Sequence, residues 1–162
     1  MVLAHGAVEQ VFPQPFCDLA SEDRALITLA QYAGKWLGSP DWTPEVEKNA
    51  IELLDAVSRL QLKMIEDGFA FPTNPATNSN ISGSQYGGFR PQACTIGAAK
   101  SNHKTGKAVD LFDPIRDIDT WCMVHLDVLA ECGIWIEHPS KTDGWSHWQN
   151  VAPRSGRIVF WP

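Results

Sequence analysis

The sequence has no excess of positive charge and no dense group of lysines or arginines. Its 13 basic residues are outnumbered by 19 acidic residues, which gives a formal net charge of -6. A chain with this balance repels a phosphate backbone unless its basic residues cluster. The nearest approach to a cluster is a set of three lysines spread through a loop-like segment, Lys100, Lys104 and Lys107. We therefore expect no nucleic-acid binding.

Long apolar runs and paired cysteines are missing as well. Residues 1–16 lack the basic start and the continuous apolar stretch of a secretory signal, and no later segment resembles a membrane span. The four cysteines are scattered and form no Cys-x-x-Cys pair, which argues against a zinc ribbon or a dithiol redox centre. These absences predict a soluble protein made in the cytoplasm, without membrane insertion.

A length of 162 residues suits one domain, residues 1–162, with a single core. Its first part, 1–80, is predicted to be helical. One helix is expected from Ser21, as N-cap, to Lys35. A second begins at Thr43 and Pro44 and continues to Gly68, because apolar residues recur there in steps of three and four.

The remaining part, residues 81–162, is predicted to mix short strands with one helix. The turn-rich stretch before it, 68–88, is either a linker or a loop bordering a cleft. The expected elements are strands at 89–90, 107–112, 134–137, 145–148 and 157–161, and a helix at 117–132. This pattern predicts an α+β fold in which helices pack on a small, mostly antiparallel sheet.

One short segment places a histidine and an aspartate close together. His103 lies in a loop, Gly106 permits a tight return, and Asp110 lies in the strand that follows. Strand alternation puts Asp110 on one face with Ala108 and Phe112. A carboxylate among apolar neighbours needs a positive partner, because burying an unpaired charge is costly.

A zinc ion would be such a partner, and His147 can complete its ligand set. In Trp145-Ser146-His147-Trp148, alternation places His147 with Trp145 and opposite to Trp148. Three protein ligands leave one position for water, as in catalytic zinc sites. The alternative is an ordinary ion pair between Asp110 and Arg90, with His103 and His147 as ordinary loop and strand histidines.

One set of residues resembles the zinc-site pattern of the M15-type peptidases: Ser101, His103, Gly106, Ala108, Asp110 and, further on, Trp145-Ser146-His147. That family includes D-Ala-D-Ala carboxypeptidases, dipeptidases and phage endolysins, and its zinc site is similar to that of the hedgehog signalling domain. The resemblance covers about residues 81–162. The segment Ser155-Gly156-Arg157 and the C-terminal Phe-containing strand resemble the phage-encoded branch in particular.

The resemblance implies a hedgehog-like peptidase fold and Zn2+ bound by His103, Asp110 and His147. It also implies that Arg90, which follows Gly87-Gly88-Phe89, binds the substrate and polarises its carbonyl. Ser101 and Trp145 are expected to line the same substrate cleft.

The chain departs from the family at one catalytic position. Many relatives carry a glutamate three residues before the last histidine, as general base, and here that position is Gly144. Hydrolysis still needs a proton acceptor. The candidates, in order, are Asp143, Glu137 and His138, although an aspartate before glycine is also a common turn residue.

The predicted activity is zinc-dependent hydrolysis of a peptide bond next to a D-amino acid in the peptidoglycan stem peptide or cross-link. Two alternatives remain: a non-catalytic zinc-bearing virion or wall-binding module, and a zinc amidase. For a phage endolysin we expect synthesis in the host cytoplasm, followed by release to the wall or incorporation into a virion. Partners would be the peptidoglycan peptide and possible virion components.

Overall fold

The computed structural model describes residues 26–162. Within them the chain forms an α+β structure with four α-helices and one four-stranded sheet. The helices are α1 (Leu29–Ala33), α2 (Pro44–Glu66), α3 (Asp117–Val124) and α4 (Leu126–Cys132). The strands are β1 (Ala108–Phe112), β2 (Trp135–Glu137), β3 (Trp145–Gln149) and β4 (Val159–Phe160). None of the helices in this part of the chain is both long and apolar enough to cross a membrane.

Helix α1 is much shorter than the predicted helix from Ser21 to Lys35. The predicted start at Ser21 lies outside the described residues. Within them, Thr28 is extended and caps the helix: its side chain accepts the Gln31 amide, and the Gln31 side chain accepts the Thr28 amide. This capping box begins the helix at Leu29. Gly34, with φ of 55°, ends it.

Helix α2 confirms its prediction closely. The Thr43 hydroxyl accepts the amide of Val46, and Pro44 occupies the first helical turn. The helix ends just before Gly68, whose φ of 86° is left-handed. The predicted apolar stripe is buried, and its members are Val46, Ala50, Leu53, Val57, Leu60 and Met64.

The predicted helix at 117–132 is broken at His125 into α3 and α4. The His125 ring stacks on Trp121 and its Nδ1 bonds the Trp121 carbonyl at 2.8 Å. The His125 amide instead donates to Cys122. A side chain that competes for a main-chain carbonyl in this way interrupts helical hydrogen bonding.

The sheet has the order β1-β3-β2-β4. Strands β1 and β2 both pair antiparallel with β3, whereas β4 pairs parallel to β2, so the sheet is mixed. The expected strand at 89–90 is absent: this segment is an irregular, buried loop.

One face of the sheet contributes Val109, Leu111, Ile136 and Trp148 to a continuous core that also contains the buried stripe of α2. The turn-rich stretch 68–88 runs beside this core as an ordered loop. At its end the chain follows the free edge of β1: the Ser82 amide donates to the Asp110 carbonyl and the Phe112 amide to the Asn80 carbonyl. This loop positions Gly87 and the residues after it next to Asp110.

Candidate metal centre

Asp110 and His147 face each other across two paired strands. The β1–β3 register sets Asp110 opposite His147 and Phe112 opposite Trp145. Directly opposed residues project from the same face of a sheet. Trp148 projects from the other face and is fully buried in the core. The alternation predicted for both strands is therefore confirmed.

His103 reaches the same site from a short 3-10 helix, Asn102–Thr105. The Ser101 side chain caps this turn by accepting the His103 amide at 3.4 Å, so the structure gives Ser101 a capping role. Gly106 ends the turn with φ of 76°, and a Cβ there would lie 2.5 Å from the Val46 carbonyl oxygen of α2. Glycine is needed at this position for both reasons.

Three potential ligand atoms form a small triangle. His103 Nε2 lies 3.2 Å from Asp110 Oδ1, His147 Nδ1 lies 2.7 Å from that oxygen, and the two nitrogens are 3.4 Å apart. Zinc binds such atoms at about 2.0–2.2 Å, which puts tetrahedral neighbours about 3.4 Å apart. One ion can therefore contact all three residues, which form the metal-capable group of the described chain.

The hydrogen bonding of His103 suits a ligand. Its Nδ1 donates to the Gly88 carbonyl at 2.7 Å. In the neutral ring, Nε2 then carries the free lone pair, and Nε2 is the atom that faces Asp110. A fixed donor bond on the far side of the ring is the usual way in which a metal-binding imidazole is oriented.

The charges of the three side chains also fit a cation. Burial lowers the pKa of His103, so this imidazole is neutral at pH 7. Burial alone would raise the pKa of Asp110, but the two histidines and their hydrogen bonds hold it well below its ordinary range. Burial lowers the pKa of His147, but the hydrogen bond to Asp110 and the negative charges of Asp110 and Glu137 together outweigh burial, so the pKa is raised. A metal that binds Nδ1 of His147 competes with a proton for this nitrogen.

Four consecutive residues, 87–90, hold the site together through their main chain and one side chain. The Gly87 carbonyl accepts the Asp110 amide at 2.7 Å, and the Gly88 carbonyl accepts His103 Nδ1. Both glycines are required, because a Cβ on Gly88 would lie 2.1 Å from the Tyr32 carbonyl oxygen and one on Gly87 would be equally close to main chain.

Arg90 is engaged inside the protein. Its Nη2 donates to Asp110 Oδ2 at 2.6 Å, its Nε to the Tyr86 carbonyl at 2.6 Å, and its Nη1 to the Ile96 carbonyl at 3.4 Å. The side chain is only 11% exposed. The ion pair between Arg90 and Asp110, which the sequence analysis gave as the alternative to a zinc site, is therefore present. Arg90 leaves Asp110 Oδ1 free to face the histidines.

No family model matches the chain, and neither the curated proteins nor the solved structures contain a match to it. The functional assignment therefore rests on the geometry of this centre and on the motif resemblance.

The candidate proton acceptors differ in where they lie. Asp143 is 96% exposed and lies 3.7 Å from Arg116, outside the three-residue centre. His138 stacks on Trp161 and bonds the Ser140 hydroxyl. Glu137 lies at the end of β2, the strand next to β3. The structure thus brings Glu137 towards His147 and gives Asp143 and His138 other contacts.

Half-buried side chains flank the centre on the same sheet face. Trp145 lies two residues before His147, on the same face of β3. The ring of Phe160 meets that of His147 edge-on, with 6.2 Å between centroids. These aromatic groups form an apolar surface beside the polar triad.

The carbonyls of Gly87 and Gly88 were not among the predicted site groups. Residue chemistry does not reveal a main-chain role, but a glycine pair signals close backbone approach. Tyr32 was also missed: its hydroxyl donates to the Ala108 carbonyl at 2.9 Å and fixes the start of β1. Its buried position near the Gly88 main chain carries no local sequence signal.

Proposed function

We propose that this chain is a zinc-dependent peptidase that hydrolyses a peptide bond next to a D-amino acid in the peptidoglycan stem peptide or cross-link. The observation that carries the proposal is the triangle of His103 Nε2, Asp110 Oδ1 and His147 Nδ1, with separations of 2.7–3.4 Å. Two imidazoles and one carboxylate are a donor set that zinc takes in hydrolases.

The number of ligands in the described residues supports a catalytic rather than a structural zinc site. Structural sites are closed by four protein ligands, whereas the described chain supplies three. A bound zinc ion would polarise a carbonyl oxygen and lower the pKa of a coordinated water to about 7. The protein contributes an anionic ligand held by Arg90 and a ring held by the Gly88 carbonyl.

The choice of substrate rests on the resemblance to M15-type peptidases. The motif residues that carry it, His103, Asp110 and His147, converge on one centre, and the segment Gly87 to Arg90 adjoins them. On the same resemblance we propose a hedgehog-like peptidase fold. We also propose a phage origin, with delivery to the wall by release from the host cell or in a virion.

The first experiment measures bound zinc and cleavage on one preparation of the full chain. Wild type should hold about one zinc ion per chain and release dipeptides or D-alanine from purified muropeptides. His147→Ala should lose both properties, and a chelator should remove activity that added zinc restores. His125→Ala, which removes a half-buried histidine remote from the triad, is the matched control and should behave as wild type.

A second candidate is a zinc-bearing module without turnover, and one observation favours it: Gly144 occupies the place of the family's glutamate, and the adjacent Asp143 is exposed. Zinc bound at about one ion per chain with no cleavage of any muropeptide would support this alternative. Release of intact stem peptides from the glycan would instead identify a zinc amidase.

A further inference from the structure

The three proposed zinc ligands do not themselves supply a proton acceptor for hydrolysis. The inference made here rests on the proposed function. Breaking a peptide bond by water moves one proton from the attacking water to the departing amine nitrogen. The family glutamate that would do this is replaced by Gly144. A group elsewhere in the fold must carry the proton if the site turns over.

The sheet register brings one carboxylate beside the triad. Strand β2 pairs with β3 through Trp135 opposite Gln149 and Ile136 opposite Trp148. Continuing this register by one residue sets Glu137 opposite His147. Opposed residues share a face, with Cβ atoms about 5 Å apart.

A row of side chains thus crosses the whole sheet on its metal-site face. It runs from Asp110 on β1 to His147 on β3, Glu137 on β2 and Phe160 on β4. Phe160 is the parallel-register partner of Glu137 and also contacts the His147 ring. Phe160 therefore forms an apolar border for the carboxylate.

Glu137 is the carboxylate that the strand pairing brings next to the triad. Its side chain is half-buried. Burial and the negative charge of Asp110 raise its pKa, and His147 and Lys141 only partly offset them.

We propose that Glu137 is the proton-transfer residue of this site, acting from the neighbouring strand in place of the missing glutamate. Its carboxylate takes a proton from the attacking water as the oxygen-to-carbon bond forms at the peptide carbonyl. The carbon-to-nitrogen bond then breaks, and Glu137 gives the same proton to the leaving amine.

Glu137→Gln tests this role, because it keeps the size of the side chain and removes its basicity. Zinc content should equal that of wild type, while kcat on muropeptides should fall by about 100-fold or more. Glu52→Gln is the matched control: it makes the same chemical change at an exposed carboxylate on α2 and should leave kcat within about twofold. Glu137→Asp should recover part of the lost activity.

A spectroscopic measurement gives a readout that does not depend on turnover. In the cobalt-substituted protein, the visible spectrum of the metal should change with pH differently in Glu137→Gln than in wild type. Glu52→Gln should match wild type.

Three results would overturn the inference. They are wild-type cleavage rates in Glu137→Gln, loss of zinc from that variant, and a cobalt spectrum that responds to pH as in wild type. An inactive, zinc-loaded wild type would instead remove the proposed function itself, and the inference with it.

Discussion

Replacing Arg90 with lysine separates a positioning role for this residue from a substrate-binding one. The guanidinium spans three acceptors, Asp110 Oδ2 and the carbonyls of Tyr86 and Ile96. An ammonium group keeps the positive charge but lacks the planar fork that makes these contacts at once. We expect Arg90→Lys to keep an ion pair with Asp110 and to lose the carbonyl contacts.

The expected losses of stability and of zinc affinity follow from those contacts. Leaving a buried carbonyl without its donor costs about 1–3 kcal/mol, and of the two affected carbonyls only that of Tyr86, at 2.6 Å, has a short bond to lose. The free energy of unfolding should therefore fall by about 2–3 kcal/mol. Because Asp110 is then held less firmly, zinc affinity should fall by about 10–100-fold, as for other groups that orient metal ligands.

Two assays measure these effects on the same protein. Chemical denaturation gives the free energy of unfolding, and competition with a chromophoric chelator gives the zinc dissociation constant. Arg59→Lys is the matched control, because Arg59 is half-exposed on α2 and pairs with Asp55 one turn away. That substitution should change stability by less than about 0.5 kcal/mol.

Arg90→Lys protein that binds zinc as tightly as wild type and has only a raised KM for muropeptides would contradict the positioning role of Arg90. That result would return Arg90 to the substrate-binding role that the family resemblance implies.

Three further predictions concern the frame of the site and its response to pH. Gly88→Ala should destabilise the fold by more than about 3 kcal/mol in denaturant titration, since its Cβ would lie 2.1 Å from the Tyr32 carbonyl oxygen; an unchanged midpoint would contradict this. Asp113→Ala should cost about 2–4 kcal/mol in the same assay, because the buried carboxylate accepts the amides that begin α3; a loss under 1 kcal/mol would be too small. Zinc affinity should fall about tenfold for each pH unit below the raised pKa of His147, because a proton then occupies the ligand nitrogen; a pH-independent dissociation constant would exclude this nitrogen as ligand.

Elements with a strong local signal were predicted well. Helix α2 has a capping threonine, a proline in its first turn and a regular apolar stripe, so periodicity and capping agree. Strands β1 and β3 were found because alternation alone assigns each side chain to a face. These signals involve residues that are near one another in the chain.

The mistaken predictions depended on competing interactions. The predicted helix included residues 26–28, but the Thr28 capping box begins α1 at Leu29, although the pair Thr28 and Gln31 was visible in the sequence. The helix breaks at His125 because its ring stacks on Trp121 and binds the Trp121 carbonyl, and these contacts form only when the tertiary structure has placed both residues.

The sequence by itself determined which side chains can bind a metal and on which strand face Asp110 and His147 lie, because residue chemistry and the two-residue strand period are local properties. Tertiary structure decided the rest. It set the spacing of the three ligand atoms, turned Arg90 towards Asp110, and paired β2 with β3 in a register that, continued by one residue, sets Glu137 opposite His147. The physical reason is that strand pairing and buried ion pairing join residues that are distant in the chain, such as Arg90 and Asp110 or His103 and His147, and their geometry follows from how the whole core packs.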